Sequence, residues 1–195
     1  MDGFERRRDK KAKQIFAASL DLVCQYGFDK VSVSEIAGHA RVSPATIYNY
    51  FGTKEQLYLS MLNHWVDAQL YEYDAILESE RSYPDKVRAI MTLEAHNVRL
   101  LARMSQGQDT RPLQAFLAVV EEKLEAFYRK LIRIGREEDQ IAHQYADRIM
   151  LRHFKIFFRE ISEYLSTPGH HDQDEDLDQL LQLFIFGISP TNMVQ

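Results

Sequence analysis

Apolar residues recur every three to four positions along most of the chain, which is the spacing of one face of an α-helix. A broad apolar face predicts a first helix over residues 9–26, closed by Gly27. No stretch alternates apolar and polar residues as a strand does, and no internal repeat stands out. We therefore predict an all-α fold. Further long helices are expected at residues 53–80, 84–105, 112–137, 143–166 and 174–187.

Two short helices between residues 32 and 52 are marked by their end signals. Ser32 and Glu35 form a capping box that opens the first, and Ser43 followed by Pro44 opens the second. Gly52 can take the left-handed conformation that ends a helix. About five residues join the two helices, which is the spacing of a helix-turn-helix. Four apolar residues are expected to lock the pair together: Ile36, Ala37, Val42 and Ile47.

The polar residues of the second short helix suit nucleic acid. Hydroxyls, an amide and an ammonium group match phosphate oxygens and base edges. A helix this short is unstable alone in water, so other parts of the protein must stabilise it, and its presence indicates a function. The residues concerned are Thr46, Tyr48, Asn49 and Tyr50, with Lys54 just beyond.

A longer pattern carries a family resemblance. Gly27-Phe-x-x-Val-Ser-Val-x-Glu-Ile-Ala, followed by Val42-Ser-x-x-Thr-Ile-Tyr-x-Tyr-Phe-x-x-Lys-Glu, closely resembles the N-terminal DNA-binding domain of TetR-family transcriptional regulators. The resemblance covers roughly residues 11–62, about a quarter of the chain. One departure is Arg41, where the family often has glycine in the turn. A positive φ there costs more with a side chain, and Arg41 could instead add a phosphate contact.

The resemblance implies two kinds of DNA contact. Tyr48 could instead be a packing residue, and Asn49 could be a solvated asparagine rather than a partner of adenine. The residues expected toward base edges are Ser43, Pro44, Ala45, Tyr48 and Asn49, and those expected toward phosphates are Ser34, Thr46, Tyr50 and Lys54.

The last two predicted helices, residues 143–166 and 174–187, are apolar nearly all round. Such helices must be buried on several sides, and a second copy of the chain is the economical cover. Two helices from each subunit would form an isologous four-helix interface. The TetR resemblance implies the same homodimer.

The helix over residues 53–80, opened by Thr53 and Gln56 as a further capping box, is long enough to link two domains. We assign residues 1–53 to an N-terminal three-helix helix-turn-helix domain that binds DNA. Residues 54–195 are assigned to a larger C-terminal helical domain for effector binding and dimerisation.

A small-molecule effector site in the second domain is implied by the family resemblance. The site would be mostly apolar with a few polar groups, so the effector would be apolar or amphipathic. Each candidate could equally be a core residue, and the sequence identifies neither the effector nor any cofactor. The candidates are Trp65, Met91, His96, Met104, Phe116, Val120 and His153.

Charge is distributed unevenly along the chain. The formal net charge of −5 argues against nucleic acid, but residues 1–64 hold 9 basic and 7 acidic side chains, against 15 and 22 in the remainder. Positive charge thus lies beside the helix-turn-helix. Residues 1–8 are predicted to be a mobile arm. The basic residues at positions 6–13 could follow phosphates or enter the minor groove, or form a solvated tail.

Several other classes of protein find no support in the sequence. The single cysteine, Cys24, excludes an intramolecular disulfide and is expected to be a buried thiol. Neither a long apolar run nor a signal region occurs, so we expect a cytoplasmic protein with no membrane contact. Catalytic motifs are missing. His170, His171 and Asp172 lack the spacing of a metal site and are expected to form a solvated loop.

The sequence therefore predicts a DNA-binding transcriptional regulator and not an enzyme. More specifically, we expect a homodimeric, ligand-responsive repressor that binds a palindromic operator in double-stranded DNA. Two alternatives stay open. One is a ligand-insensitive DNA-binding or architectural protein, and the other is a helical small-molecule-binding or catalytic protein that keeps the helix-turn-helix as a scaffold.

Overall fold

The computed structural model describes residues 3–104, 111–166, 179, 183 and 184. Within these residues the chain forms seven α-helices and no strand, which confirms the predicted all-α fold. None of the described helices is both long and apolar enough to cross a membrane. The helices are α1 (Gly3–Tyr26), α2 (Val33–His39), α3 (Pro44–Phe51), α4 (Lys54–Leu77), α5 (Tyr83–Met104), α6 (Arg111–Glu137) and α7 (Asp147–Ser166).

Helix α1 begins at Gly3 rather than at residue 9, so the prediction of a mobile arm over residues 1–8 is wrong from Gly3 onward. Arginine and lysine are good helix formers, and a helix-spaced ion pair joins Lys13 Nζ to Asp9 at 3.0 Å. Glu5 in the first turn suits the positive end of the helix dipole. The basic residues at positions 6–13 are therefore presented on a helix.

The other ends lie close to the predicted ones, with two differences. Helix α4 ends at Leu77 instead of residue 80, and α7 starts at Asp147 instead of residue 143 because residues 142–145 form a turn. The predicted helix over residues 174–187 lies outside the described residues, apart from Gln179, Leu183 and Phe184, which are helical. The predicted loop at residues 170–172 also lies outside them. So does the break predicted at residues 106–111, apart from Arg111, which is the first residue of α6.

The chain divides into two compact units. Unit 1 comprises Met1–Asp67 and Ala102–Phe116, and unit 2 comprises Ala68–Leu101 and Leu117–Gln195. The division falls inside α4, fourteen residues beyond the predicted boundary at residue 53. The assignment of DNA binding to residues 1–53 and of effector binding and dimerisation to residues 54–195 stays a prediction.

The core of unit 1 supports the two short helices. Ile36, Ala37 and Ile47 are 1–2% exposed, as expected for the residues that lock α2 to α3, while Val42 is half-buried. Burying an isoleucine side chain stabilises the fold by roughly 1.5–3 kcal/mol. Helix α1 contributes the fully buried Ile15 to the same unit. Tertiary packing thus stabilises a short α3 that would not persist alone.

The core of unit 2 is built from α5, α6, α7 and the end of α4. Aliphatic and aromatic side chains of these helices bury one another, and Tyr128 stacks on Phe154 with ring centroids 4.9 Å apart. Phe184 stacks on Phe157 at 4.1 Å. Gly135 packs so closely that an added Cβ would lie 2.6 Å from the Tyr83 ring. The unit therefore has its own hydrophobic core, distinct from that of unit 1.

Candidate nucleic-acid interface

The start of α2 is fixed by both halves of the predicted capping box. The backbone N–H of Glu35 donates to Ser32 Oγ at 3.2 Å, and the backbone N–H of Ser32 donates to Glu35 Oε2 at 2.7 Å. The Ser32 hydroxyl also donates to this carboxylate at 2.7 Å. The two hydrogen bonds to the carboxylate hold the pKa of Glu35 below its usual value, with the larger effect from the Ser32 hydroxyl and the smaller from its backbone N–H.

The turn after α2 forms a Schellman motif. The Val42 N–H donates to Ala37 O at 2.9 Å, and the Arg41 N–H donates to Gly38 O at 3.2 Å. Arg41 lies at the position in this motif that takes the left-handed conformation, and its φ is 52°. The positive φ anticipated from the sequence is therefore present on a residue with a side chain. Such a conformation favours glycine.

Helix α3 is closed at both ends by local hydrogen bonds. Ser43 Oγ accepts from the Thr46 N–H at 3.1 Å, with Pro44 at the first helical position, as predicted. At the other end Gly52 has φ 80° and ψ −61°, and the Thr53 N–H donates to Phe51 O at 2.9 Å. This is a γ-turn with positive φ, a rare and strained conformation. Both ends of α3 are thus fixed by the sequence itself.

The next helix follows this turn at once. The Gln56 N–H donates to Thr53 Oγ1 at 3.1 Å, so Thr53 caps α4 as predicted. Helix α3 therefore lies between the capping residues Ser43 and Thr53.

One side of α3 is buried and the other is open to solvent. Ile47 is 1% exposed, whereas Tyr48 is 51% exposed. Six of the residues predicted to contact DNA are exposed: Ser34, Ser43, Pro44, Ala45, Tyr48 and Asn49. The other three, Thr46, Tyr50 and Lys54, are half-buried. The solvent-facing side of α3 thus combines hydroxyls and an amide, which can hydrogen-bond to base edges and phosphates. Their contacts with DNA stay a prediction.

Two cations lie on aromatic rings of this unit. The Arg8 guanidinium carbon is 5.7 Å from the centroid of the Tyr50 ring, and Lys54 Nζ is 4.3 Å from the centroid of the Phe28 ring. Both distances are within the range of cation–π attraction. Gln14 also anchors the turn, because its Nε2 donates to Ala40 O at 2.8 Å. The sequence indicated a basic segment but not these three contacts, which depend on tertiary packing.

The predicted effector residues differ widely in burial. Met104 is 0% exposed, Phe116 1% and Val120 5%, so these three are core residues in the described structure. Trp65, Met91 and His153 are half-buried, and His96 is exposed. Trp65, Met104 and Phe116 belong to unit 1, and the other four belong to unit 2. Their role in ligand binding stays a prediction.

His153 has one unusual feature among these residues. Its ring stacks on Phe184 with centroids 5.1 Å apart, while its buried Nε2 has no hydrogen-bond partner within the described structure. No group of three metal-ligating side chains occurs in the part of the chain that the structure describes.

Helices α2 and α3, joined by a tight turn, form a helix-turn-helix, an arrangement by which many proteins bind DNA. A family model described as "Bacterial regulatory proteins, tetR family" matches residues 15–61, which include α2 and α3 entirely. The N-terminal domain of the chain therefore matches the TetR family of bacterial transcriptional regulators.

Two curated relatives and one solved structure extend the comparison. The uncharacterized HTH-type transcriptional regulator YuxN of Bacillus subtilis is 43% identical over 58 residues, which cover 30% of this chain but only 20% of YuxN. The fatty acid metabolism regulator protein of Bacillus subtilis is 20% identical over 193 residues, covering 94% of this chain and 98% of that protein. All the relatives named here are regulators.

The solved structure is that of the transcriptional regulator FadR from Bacillus subtilis in complex with stearoyl-CoA. It superimposes with a TM-score of 0.59 at 17% identity, covering 87% of this chain and 96% of that chain. At this identity the likeness establishes the fold alone, which is that of a helix-turn-helix unit followed by a helical domain.

Proposed function

We propose that this protein is a homodimeric, ligand-responsive repressor that binds a palindromic operator and acts by binding rather than by catalysis. The observation that carries the proposal is the presentation of α3, with Ile47 buried and Tyr48 and Asn49 exposed on the opposite side. A helix that is capped at both ends and supported from below can enter the major groove without rearranging.

The predicted DNA-contact residues fall into two groups, those that contact bases and those that contact phosphates. Asn49 lies on the open side of α3 and carries the amide that can pair with adenine, while Ser43, Pro44, Ala45 and Tyr48 complete the surface toward the bases. The residues toward phosphates, Ser34, Thr46, Tyr50 and Lys54, set the register on the duplex. The basic residues at the start of α1 add charge that strengthens binding to any DNA.

A second copy of the chain is supported by the surface of α7. Ile149 and Ile156 are both 49% exposed, and a separation of seven residues places them on one side of the helix. Leu183, in the segment that follows, is 71% exposed. Exposed apolar side chains that share one side of a helix can form part of an interface between proteins. A two-fold dimer through α7 would also pair two α3 helices with the two halves of a palindrome.

Ligand control is assigned to residues 54–195. FadR, which shares the fold, was solved with stearoyl-CoA, so a helical domain of this architecture can hold a small molecule. Helix α4 runs from the first unit into the second without a break. A ligand that binds better to one position of α4 would shift the population away from the DNA-binding state.

Selection from a random double-stranded library tests the proposal, using the purified protein at about physiological ionic strength. We expect an inverted repeat with half-sites about one helical turn apart, and a dimer by light scattering. Enrichment without a motif would instead support the architectural alternative. A failure to bind any DNA at low salt would contradict the proposal.

A further inference from the structure

Four polar side chains meet inside unit 2, where α4 packs against α5. Gln69 and Tyr73 come from α4, and Glu94 and Asn97 come from α5. Tyr73 is 3% exposed and Asn97 is 7% exposed. We refer to these four residues as the Glu94 cluster. Polar groups buried this deeply are costly unless they are hydrogen-bonded. The arrangement of the four side chains shows which donors and acceptors have a partner.

Two of the three hydrogen bonds of the cluster form a chain that ends on the Glu94 carboxylate. Asn97 Nδ2 donates to Gln69 Oε1 at 3.0 Å and to Tyr73 Oη at 2.8 Å, which uses both of its protons. The single proton of the Tyr73 hydroxyl is then donated to Glu94 Oε2. Glu94 is therefore the final acceptor of the chain. A carboxylate can accept about four hydrogen bonds, so most of its capacity is still open.

No positive charge accompanies this carboxylate. Among the described residues, no basic side chain lies within ion-pair distance of Glu94. Burial raises the pKa of Glu94, and the hydrogen bond from Tyr73 only opposes that effect. A buried carboxylate is normally paired with a cation. The Glu94 cluster therefore has a polar chain that favours negative charge but lacks the partner that would neutralise it.

Apolar side chains with accessible surface adjoin the cluster. Met91 lies one helical turn before Glu94 and Leu70 one turn before Tyr73, and both are only half-buried. The ring of Phe127, also half-buried, lies 5.4 Å from the ring of Tyr73. Glu94 itself keeps part of its surface accessible. Apolar walls with a few converging polar groups and a titratable residue of perturbed pKa are typical of small-molecule sites.

We propose that the Glu94 cluster binds the protonated amine of an amphipathic small molecule, whose apolar part lies against Met91 and Phe127. The inference rests on the proposed function as a ligand-responsive regulator. It narrows the effector from apolar or amphipathic molecules in general to cationic ones. The ammonium group would donate to the open positions of the Glu94 carboxylate and supply the missing positive charge.

Three probes with the same apolar chain test this proposal: octylammonium, octanol and octanoate, each titrated into the full-length protein by calorimetry. We expect octylammonium to bind at least about tenfold more tightly than octanol, because only the ammonium can pair with the Glu94 carboxylate. Octanoate is expected to bind more weakly than octanol. In Glu94→Gln the preference for octylammonium over octanol should disappear. The exposed Glu122 on α6 provides the matched control, and Glu122→Gln should keep the preference.

Equal binding of octylammonium and octanol to the unmodified protein would overturn the proposal. So would a preference that survives in Glu94→Gln. Circular dichroism shows whether Glu94→Gln folds. If it does not fold, the comparison of the three probes on the unmodified protein still tests the proposal. Failure of the proposed repressor function is distinguishable from failure of this inference. It would appear as the absence of an enriched operator in the library selection, which uses no probe.

Discussion

The guanidinium group of Arg8 lies over the ring of Tyr50, 5.7 Å from its centroid. Helix α1 thereby places a cation against a residue of α3 that is predicted to face phosphate. The contact adds a basic side chain to the candidate interface that the family pattern alone did not single out. Because the guanidinium is already held by the ring, less side-chain entropy is lost when it binds a phosphate.

We therefore predict that Arg8→Ala weakens binding to matched and mismatched DNA to the same extent. The loss of one phosphate contact should reduce the slope of log affinity against log salt by about 1. Titrations at several salt concentrations measure this slope. Arg133→Ala, which removes an exposed arginine of α6, should leave the slope unchanged. An unchanged slope in Arg8→Ala would mean that the Arg8 side chain does not reach the DNA.

Asn49 is predicted to read a base, whereas Tyr50 and Lys54 hold the backbone. Replacing Asn49 with alanine should reduce discrimination at one base-pair position by about 1–3 kcal/mol. Lys54→Ala and Tyr50→Phe should instead weaken binding to all sequences. Repeating the library selection with each variant separates the two effects. Equal losses on matched and mismatched operators for Asn49→Ala would refute its role in reading a base.

Arg41 holds a positive φ of 52° in the turn between α2 and α3. We predict that Arg41→Gly increases the free energy of unfolding by up to about 1 kcal/mol, because relief of backbone strain outweighs the greater entropy of glycine in the unfolded chain. Urea unfolding measures this change. A decrease would show that the Arg41 side chain contributes more than its backbone conformation costs.

DNA binding by Arg41→Gly settles the question that the sequence left open. A reduced salt dependence would identify Arg41 as a phosphate contact. Unchanged binding, together with higher stability, would leave the turn conformation as the only effect of this arginine.

Local signals predicted the helix-turn-helix well. Ser32, Ser43 and Gly52 each act through hydrogen bonds or backbone conformations that involve residues at most five positions away, so a single sequence contains the necessary information. The start of α1 was missed for a related reason. A run of charged residues without apolar periodicity indicated a tail, although arginine and lysine favour a helix once it is formed.

The Glu94 cluster could not be predicted from the sequence. Its hydrogen bonds join residues 21 to 28 positions apart on two helices, and they require the packing register of α4 against α5. Periodicity gives the buried face of each helix but not this register. Periodicity likewise does not distinguish an effector contact from a core residue, and three of the predicted effector residues, Met104, Phe116 and Val120, are core residues.

Gly52 and Gly38 provide a matched pair of substitutions. At Gly52 the φ is 80°, and an added Cβ would lie 2.7 Å from Gln56 Oε1, whereas at Gly38 in α2 it would meet nothing within 4 Å. We predict that Gly52→Ala lowers the stability by about 1–3 kcal/mol. Gly38→Ala should raise it by up to about 1 kcal/mol, since alanine favours a helix. Urea unfolding of both variants tests the contrast, and similar effects would contradict the proposed strain at Gly52.

The capping box at Ser32 should make the stability depend on acid pH. Hydrogen bonds from Ser32 lower the pKa of Glu35 in the folded protein relative to the unfolded chain. A group of this kind stabilises the fold above its unfolded pKa of about 4.3, and the contribution is lost as the pH falls through the lower, folded pKa. The cap from Ser32 Oγ to the Glu35 N–H does not titrate and persists in acid.

We predict that Ser32→Ala lowers the stability by about 1 kcal/mol near neutral pH, because both hydrogen bonds of the Ser32 hydroxyl are lost while the backbone N–H can still donate to Glu35. The difference from the unmodified protein should shrink below about pH 4, because protonated Glu35 no longer stabilises either protein. Urea unfolding at neutral and acid pH measures it. The neighbouring Ser34→Ala is the control, since Ser34 is exposed inside α2 and should show no such pH dependence. A difference that stays constant with pH would show that the Glu35 carboxylate adds nothing to the cap.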